Sequence, residues 1–191
     1  MLKELLLKNR SYRRFYQSET ISKETLLDFI NLARFAPSAK NSQPLKYYIS
    51  NSETTNSKIF STLSWAGYLT DWDGPIEGEQ PSAYIVVLLD KNITENNFCD
   101  HGFAIQTILL AAVEKGFGGC TIAAFNKTKL SKIINTPENM QELLVIALGK
   151  PKETVNIYEI SDNESIKYWR DENKIHKVPK RKLIDIVINK N

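Results

Sequence analysis

The run Ala83-Tyr84-Ile85-Val86-Val87-Leu88-Leu89, closed by Asp90, limits what this chain can become more than any other stretch. It is near-continuously apolar yet well short of the roughly 20 residues that span a bilayer as a helix. Such a run suits a central strand covered on both faces, so the remainder must supply apolar layers on either side of it. One cover is the stretch from about Asn97 to Lys115, where Ala104, Ile105, Ile108, Leu109, Ala112 and Val113 make a helix apolar nearly all round, a core helix and a candidate subunit-interface helix. A second begins at Ser22, an N-cap residue, and runs to about Phe35 with Leu26, Leu27, Ile30 and Ala33 as its buried stripe.

Leu45 to Ser50 reads as a strand because Tyr47, Tyr48 and Ile49 favour a pleated surface, and Cys120–Phe125 and Leu143–Leu148 read as two more. Shorter helices are predicted over Met1–Lys8, Thr54–Leu63, Thr128–Ile134 and Lys180–Ile188, the last with Pro179 at its first position. Strands alternating with helices in 191 residues argue for one layered α/β or α+β domain. Residues 152–178 form a polar extension with little core, expected to wrap a neighbouring subunit of a homodimer.

A net charge of +3 from 25 basic and 22 acidic residues gives no reason to expect nucleic acid or a membrane as partner. Cys99 and Cys120 have neither a CxxC nor a disulfide-scaffold spacing, which suggests reduced thiols and a cytoplasmic protein. Met1–Lys8 is charged within its apolar run, unlike a secretory leader.

Most side-chain chemistries find no support. His101 and His176 lie outside any metal-ligand spacing and are read as structural, with a place lining a ligand pocket as the alternative, and neither a GxSxG elbow nor a GxxxxGK[ST] phosphate loop occurs. Gly116-Phe117-Gly118-Gly119 lacks the third glycine of a dinucleotide fingerprint and follows a helix rather than a strand. What remains is cationic and amide-rich. Ala36-Pro37-Ser38-Ala39-Lys40-Asn41-Ser42-Gln43-Pro44 ends the second helix in a proline-bracketed polar loop, either a ligand-cradling turn or an ordinary connector. Arg10, Ser11, Arg13 and Arg14 in one connector, and Lys180, Arg181 and Lys182 at the far end of the chain, could converge on a phosphate or form solvated basic faces. Residues 65–82 hold no period and combine Gly67, Gly74, Pro75, Gly78 and Pro81 with Trp65, Tyr68 and Trp72. They read as a long surface loop whose aromatics either wall a substrate pocket or anchor the loop.

In this order the chain resembles the nitroreductase family of flavoproteins. The motifs are Arg10-Ser11-Tyr12-Arg13-Arg14-Phe15, the Ala36–Pro44 loop, Gly116 to Phe125, Gly149-Lys150-Pro151, and His176-Lys177-Val178-Pro179-Lys180-Arg181. The resemblance implies an α+β fold, three layers α-β-α around a central, mainly antiparallel sheet, in an intertwined homodimer with one FMN per subunit. It implies that Arg10, Ser11 and Arg13 hold the flavin's phosphate, ribityl chain and pyrimidine edge, that Lys180 and Arg181 complete the phosphate site with Lys182 as the alternative second cation, and that Ala123 and Ala124 bring backbone amides near flavin N5. Pro37, Ser38, Ala39 and Asn41, with Gln43 nearby, would come from the other subunit. Asn9 stands where many members have an arginine, and Ala123-Ala124 where an acidic residue and glycine are common. The implied activity is ping-pong hydride transfer from NAD(P)H to an electron-poor acceptor such as a nitroaromatic or quinone. Flavin cleavage or reductive dehalogenation on the same fold is the alternative, followed by a non-enzymatic basic binding module. A flavin would also account for the missing acid–base constellation, since it carries the redox chemistry itself.

Overall fold

In the computed structural model, which describes residues 2–188, the apolar run forms the strand at the middle of the molecule. The elements follow in order as α1 (Leu2–Lys8), β1 (Phe15–Tyr16), α2 (Lys23–Ala33), β2 (Leu45–Ser50), α3 (Glu53–Phe60), β3 (Ala83–Asp90), α4 (Asp100–Glu114), β4 (Gly118–Ile122), α5 (Lys127–Ile134), β5 (Met140–Pro151), β6 (Val155–Ile160), β7 (Trp169–Arg170), β8 (His176–Arg181) and α6 (Leu183–Ile186). Met1, which the sequence assigns to the first helix, lies outside the described residues.

β3 pairs antiparallel with β2 on one side, Tyr47 opposite Val87, and with β5 on the other, Val86 opposite Val145. β5 also pairs antiparallel with β4 and with β1, which completes a five-stranded sheet. Because side chains alternate along a strand, β3 presents two apolar faces. Ala83, Ile85 and Val87 pack with Leu26, Phe29 and Ala33 of α2 and Ile105, Ile108 and Ala112 of α4. Tyr84, Val86 and Leu88 pack with Ile59 of α3 and Leu130 and Ile134 of α5. The result is three layers, helices on both sides of an antiparallel sheet, as the sequence led us to expect. Ser22 caps α2 by accepting from the Thr25 N–H. The buried stripe of α2 carries Phe29 where Leu27 was expected, and Leu27 is exposed.

The C-terminal part differs from its sequence reading. Residues 152–178, expected as a polar extension with little core, give no residue to either core cluster but carry regular structure: β6, β8 and β7 form a second sheet, with β6 and β8 parallel and Val178 opposite Ile157. Pro179 does not open a helix but lies buried within β8, and the final helix is the single turn α6. A strand tolerates proline where no neighbour needs its N–H. β7 reaches only Lys177 and His176, so β8 is open on that side at Pro179.

The 65–82 loop has no regular structure, but it is pinned rather than loose. Glu79, almost buried, takes bonds of 2.5 and 2.6 Å from the Arg14 guanidinium and an ion pair of 3.0 Å from Lys152. The Arg14 bonds, supported by Lys152 against the opposing effect of burial, hold its carboxyl down to about 2. A depressed folded pKa contributes stability that is complete above the ordinary value of 4.5 and is lost as pH falls towards 2. Glu79→Gln should therefore be less stable than wild type at pH 7 in urea unfolding. The gap should close as pH drops from 4.5 to 2.

Candidate functional site

A cleft of about 280 Å³ lies where the N-terminal connector, α4, β4 and β8 meet. Arg10, Ser11 and Arg13 enter from the connector, Gln106 and Leu109 from α4, Gly119 and Thr121 from β4, and Tyr168, His176, Val178 and Lys180 from the C-terminal sheet and its approach. The two basic ends of the chain, 167 residues apart between Arg13 and Lys180, thus face one cavity. Their convergence depends on β4. Ser11 bridges to Gly119 in parallel, and the Tyr12 N–H donates to the Gly119 carbonyl at 3.0 Å. A Cβ on Gly118 would come within 2.5 Å of the Tyr12 ring, so the glycine-rich segment serves close approach of the connector.

The period of β8 decides which C-terminal cations take part. His176, Val178 and Lys180 share one face and line the cleft, whereas Arg181 falls on the other, where it meets Asp162 at 2.5 Å. Lys182 reaches Ser161 Oγ at 3.3 Å. The helical reading of 180–188 had placed Lys180 and Arg181 together at one terminus. The strand separates them.

Arg10, Arg13 and Lys180 meet no carboxylate within ion-pair distance among the described residues. The Arg10 guanidinium donates to the Leu6 carbonyl at 2.7 Å while its Nε is buried without a partner, and burial, partly opposed by Tyr12, lowers its pKa from the ordinary arginine value. The Arg13 guanidinium lies 4.8 Å from the Tyr168 ring centroid. Uncompensated cations beside the Ser11 hydroxyl are a donor set that suits an anionic, phosphate-bearing molecule.

Behind the cleft sits Glu153, a carboxylate closed off from solvent. It accepts from the Arg13 backbone N–H and, at 3.1 Å, from Arg170, and it lies 3.7 Å from His176 Nδ1. Burial alone would raise its pKa, but His176, the Arg13 N–H and the Arg170 charge outweigh burial and hold it below the ordinary carboxylate range. Sequence reasoning missed Glu153, Tyr168 and Gln106, and of its two readings of His176 the structure favours the pocket-lining one over a purely structural place. A period-2 reading of residues 176–180 would have put His176 on the Lys180 face.

The remaining sequence candidates lie elsewhere. In the 37–44 loop, Lys40, Asn41 and Gln43 have φ of 54°, 53° and 50°, a left-handed conformation unfavourable for Lys and Gln. Buried Asp100 at the start of α4 enforces it, accepting from Ser38 Oγ at 2.5 Å and the Ala39 N–H at 3.0 Å. Pro37, Ser38 and Gln43 line a separate hollow of about 170 Å³, and neither they nor Ala39 and Asn41 line the cleft of their own chain. Ala123 and Ala124 are exposed just beyond β4, where the Ala124 carbonyl accepts from the Ser64 N–H at 2.9 Å. Trp65 is buried against Phe60 and Trp72, Trp72 lies beneath Arg170 at 4.2 Å, and Tyr68 packs on Tyr168 at 5.1 Å. The aromatic loop therefore reaches the cleft only through Tyr168.

The family model of the nitroreductase family matches residues 6–66 and 80–150. A protein of Archaeoglobus fulgidus, provisionally named as an NADH dehydrogenase/NAD(P)H nitroreductase, is 27% identical over 157 residues, 78% of this chain and 85% of its own length. The crystal structure of a nitroreductase family protein from Clostridium novyi is similar with a TM-score of 0.65 at 25% identity, covering 80% of this chain and 87% of that one. A provisionally assigned nitroreductase from Exiguobacterium sibiricum, solved in complex with FMN, is similar with a TM-score of 0.67 at 16% identity over 80% and 89% of the respective chains.

Removing the buried acid behind the cleft leaves the Arg13 N–H and the Arg170 guanidinium without their acceptor. Glu153→Ala should cost about 3 kcal/mol in urea unfolding. Asp162→Ala, which unpairs only exposed Arg181, should leave the midpoint nearly unchanged.

Proposed function

The chain belongs to the nitroreductase family, and we propose that it is an FMN-dependent oxidoreductase whose cofactor occupies the cleft between Arg13 and Lys180. The observation that carries this reading is the convergence of Arg10, Ser11, Arg13 and Lys180 from opposite chain ends on one cavity, with all three cations free of carboxylate partners among the described residues. Bound FMN would supply the redox chemistry, taking a hydride from NAD(P)H and passing it to an electron-poor acceptor such as a nitroaromatic or quinone in a ping-pong cycle.

The protein's part is to bind, orient and tune. Lys180 and Arg10, with the Ser11 hydroxyl, hold the phosphate by charge-assisted bonds. Arg13, braced by Glu153 through its backbone and by Tyr168 through its guanidinium, sets a positive charge at the pyrimidine edge. Such a charge favours electron density on that edge and so favours reduction. Ala123 and Ala124, continuing the line of β4 past Thr121, present backbone amides on the N5 side.

The Pro37–Pro44 loop of a second copy completes the site, with Pro37, Ser38, Ala39, Asn41 and Gln43 held in their strained turn by that copy's Asp100. A homodimer also accounts for the apolar side chains left exposed on one copy, among them Leu6, Leu27, Leu32, Phe35 and Phe103. The C-terminal segment 152–178 would contribute to the same interface. No described helix is long and apolar enough to cross a membrane, and we place the enzyme in the cytoplasm on the strength of its two free cysteines.

Fluorescence titration with FMN tests the placement. Arg13→Ala and Lys180→Ala should each weaken binding roughly tenfold or more, while Lys132→Ala on the exposed face of α5 leaves it unchanged. Equal affinity in all three variants contradicts the proposed site. An NAD(P)H oxidation rate that does not rise with nitroaromatics or quinones contradicts the proposed reaction.

A further inference from the structure

His176 is the most deeply buried polar side chain at the cleft, 1% exposed, and neither ring nitrogen has a hydrogen-bond partner among the described residues. Buried polar atoms in folded proteins are almost always paired, so a cleft-lining imidazole with both nitrogens unmatched points to a missing partner. The groups facing it are the Glu153 carboxylate, whose Oε2 lies 3.7 Å from Nδ1, Arg170, which donates to that same Oε2, and the Tyr168 ring at 5.2 Å, over which Arg13 also lies. Glu153 is the acceptor closest to Nδ1, and its oxygens are otherwise engaged by donors. A neutral imidazole turned so that Nδ1–H faces this carboxylate keeps a lone pair on Nε2. Both ring nitrogens are closed off from solvent, so Nε2 meets a ligand only once the ring turns into the cleft, where Arg10, Arg13 and Lys180 are donors only.

We propose that His176 is a further cofactor-contacting residue, its Nε2 accepting a hydrogen bond from the ring imide N–H of the flavin while Glu153 fixes the tautomer. The inference rests on the FMN reading and assigns His176 a role beyond it. The end of the cleft decides which ligand group it meets. Lys180 lies four residues further along β8, roughly 13 Å away at the usual strand rise, so a phosphate held at Lys180 leaves the His176 and Arg13 end to the ring system. The imide N–H of a flavin is flanked by two carbonyl oxygens. An acceptor from His176 beside a donor from Arg13 matches that pattern, and Glu153 acts as a positioning residue for both.

Riboflavin and N3-methylriboflavin, which lacks the imide hydrogen, are the probes. Wild type should bind riboflavin several-fold more tightly than the methylated flavin. His176→Phe, which keeps an aromatic ring against Tyr168, should lose about 3- to 10-fold of that preference, the value of one hydrogen bond. His176→Asn, with a side-chain carbonyl as acceptor, should restore part of it. Thermal melts of both variants establish that they fold. Independently of any variant, ¹⁵N imidazole spectra of wild type should show an Nδ1–H tautomer for His176, with its Nε2 resonance moving on FMN addition and that of His101 unchanged. An unaltered preference in both variants, an Nε2–H tautomer, or an Nε2 signal indifferent to FMN overturns the assignment while leaving flavin binding intact. A wild-type protein that binds no FMN overturns this inference together with the reading it rests on.

Discussion

The double-sided burial of β3 is the constraint from which the rest of the structure follows. A strand whose two faces are both apolar needs α2 and α4 on one side and α3 and α5 on the other. That sandwich holds both hydrophobic clusters of the core. The chemistry is left to the margins, where the connector before β1, the end of β4 and the second sheet meet. The cleft belongs to that margin, and its floor is the core itself, through Leu109 and Gly119.

Two acids hold the margin in place. Adjacent residues of the connector reach opposite ways: the Arg13 backbone N–H goes to Glu153, and the Arg14 side chain goes to Glu79. Glu79 thereby ties the connector to the 65–82 loop and to Lys152, and Glu153 ties it to Arg170 and the second sheet. With those carboxylates committed to neighbours, Arg10, Arg13 and Lys180 line the cleft without a carboxylate partner among the described residues. A structural role for some cations is what keeps others available for an anion.

The sequence carried the layered fold well, because long apolar runs and helical periodicity are local signals. β3, α4 and α2 appear close to where their patterns put them, although α2 buries Phe29 in place of Leu27. The second sheet was not legible, since its strands are short and two of them, β6 and β8, pair in parallel across a connection that no local pattern announces. Pro179 shows the difficulty: the fixed φ of proline suits the first turn of a helix and an unpaired strand position equally, and only the reach of β7 decides between them. The resemblance paired Arg181, or alternatively Lys182, with Lys180, and of the three only Lys180 lines the cleft. Trp65 looked like a loop aromatic because residues 65–82 hold no period, while its burial depends on Phe60 and Trp72 closing over it. Asp100 and Glu153 were invisible for a related reason. An acid beside an apolar helix or inside a polar stretch looks solvated until the fold brings a strained loop or an arginine against it.

A crystal structure of the protein grown with FMN tests the central claim most directly. The account predicts one flavin per chain, its phosphate at Lys180 and its ring at the Arg13 end, with the Pro37–Pro44 loop of a second copy against it. A flavin bound elsewhere, or a site complete within one copy and with Lys180 facing solvent, would contradict it.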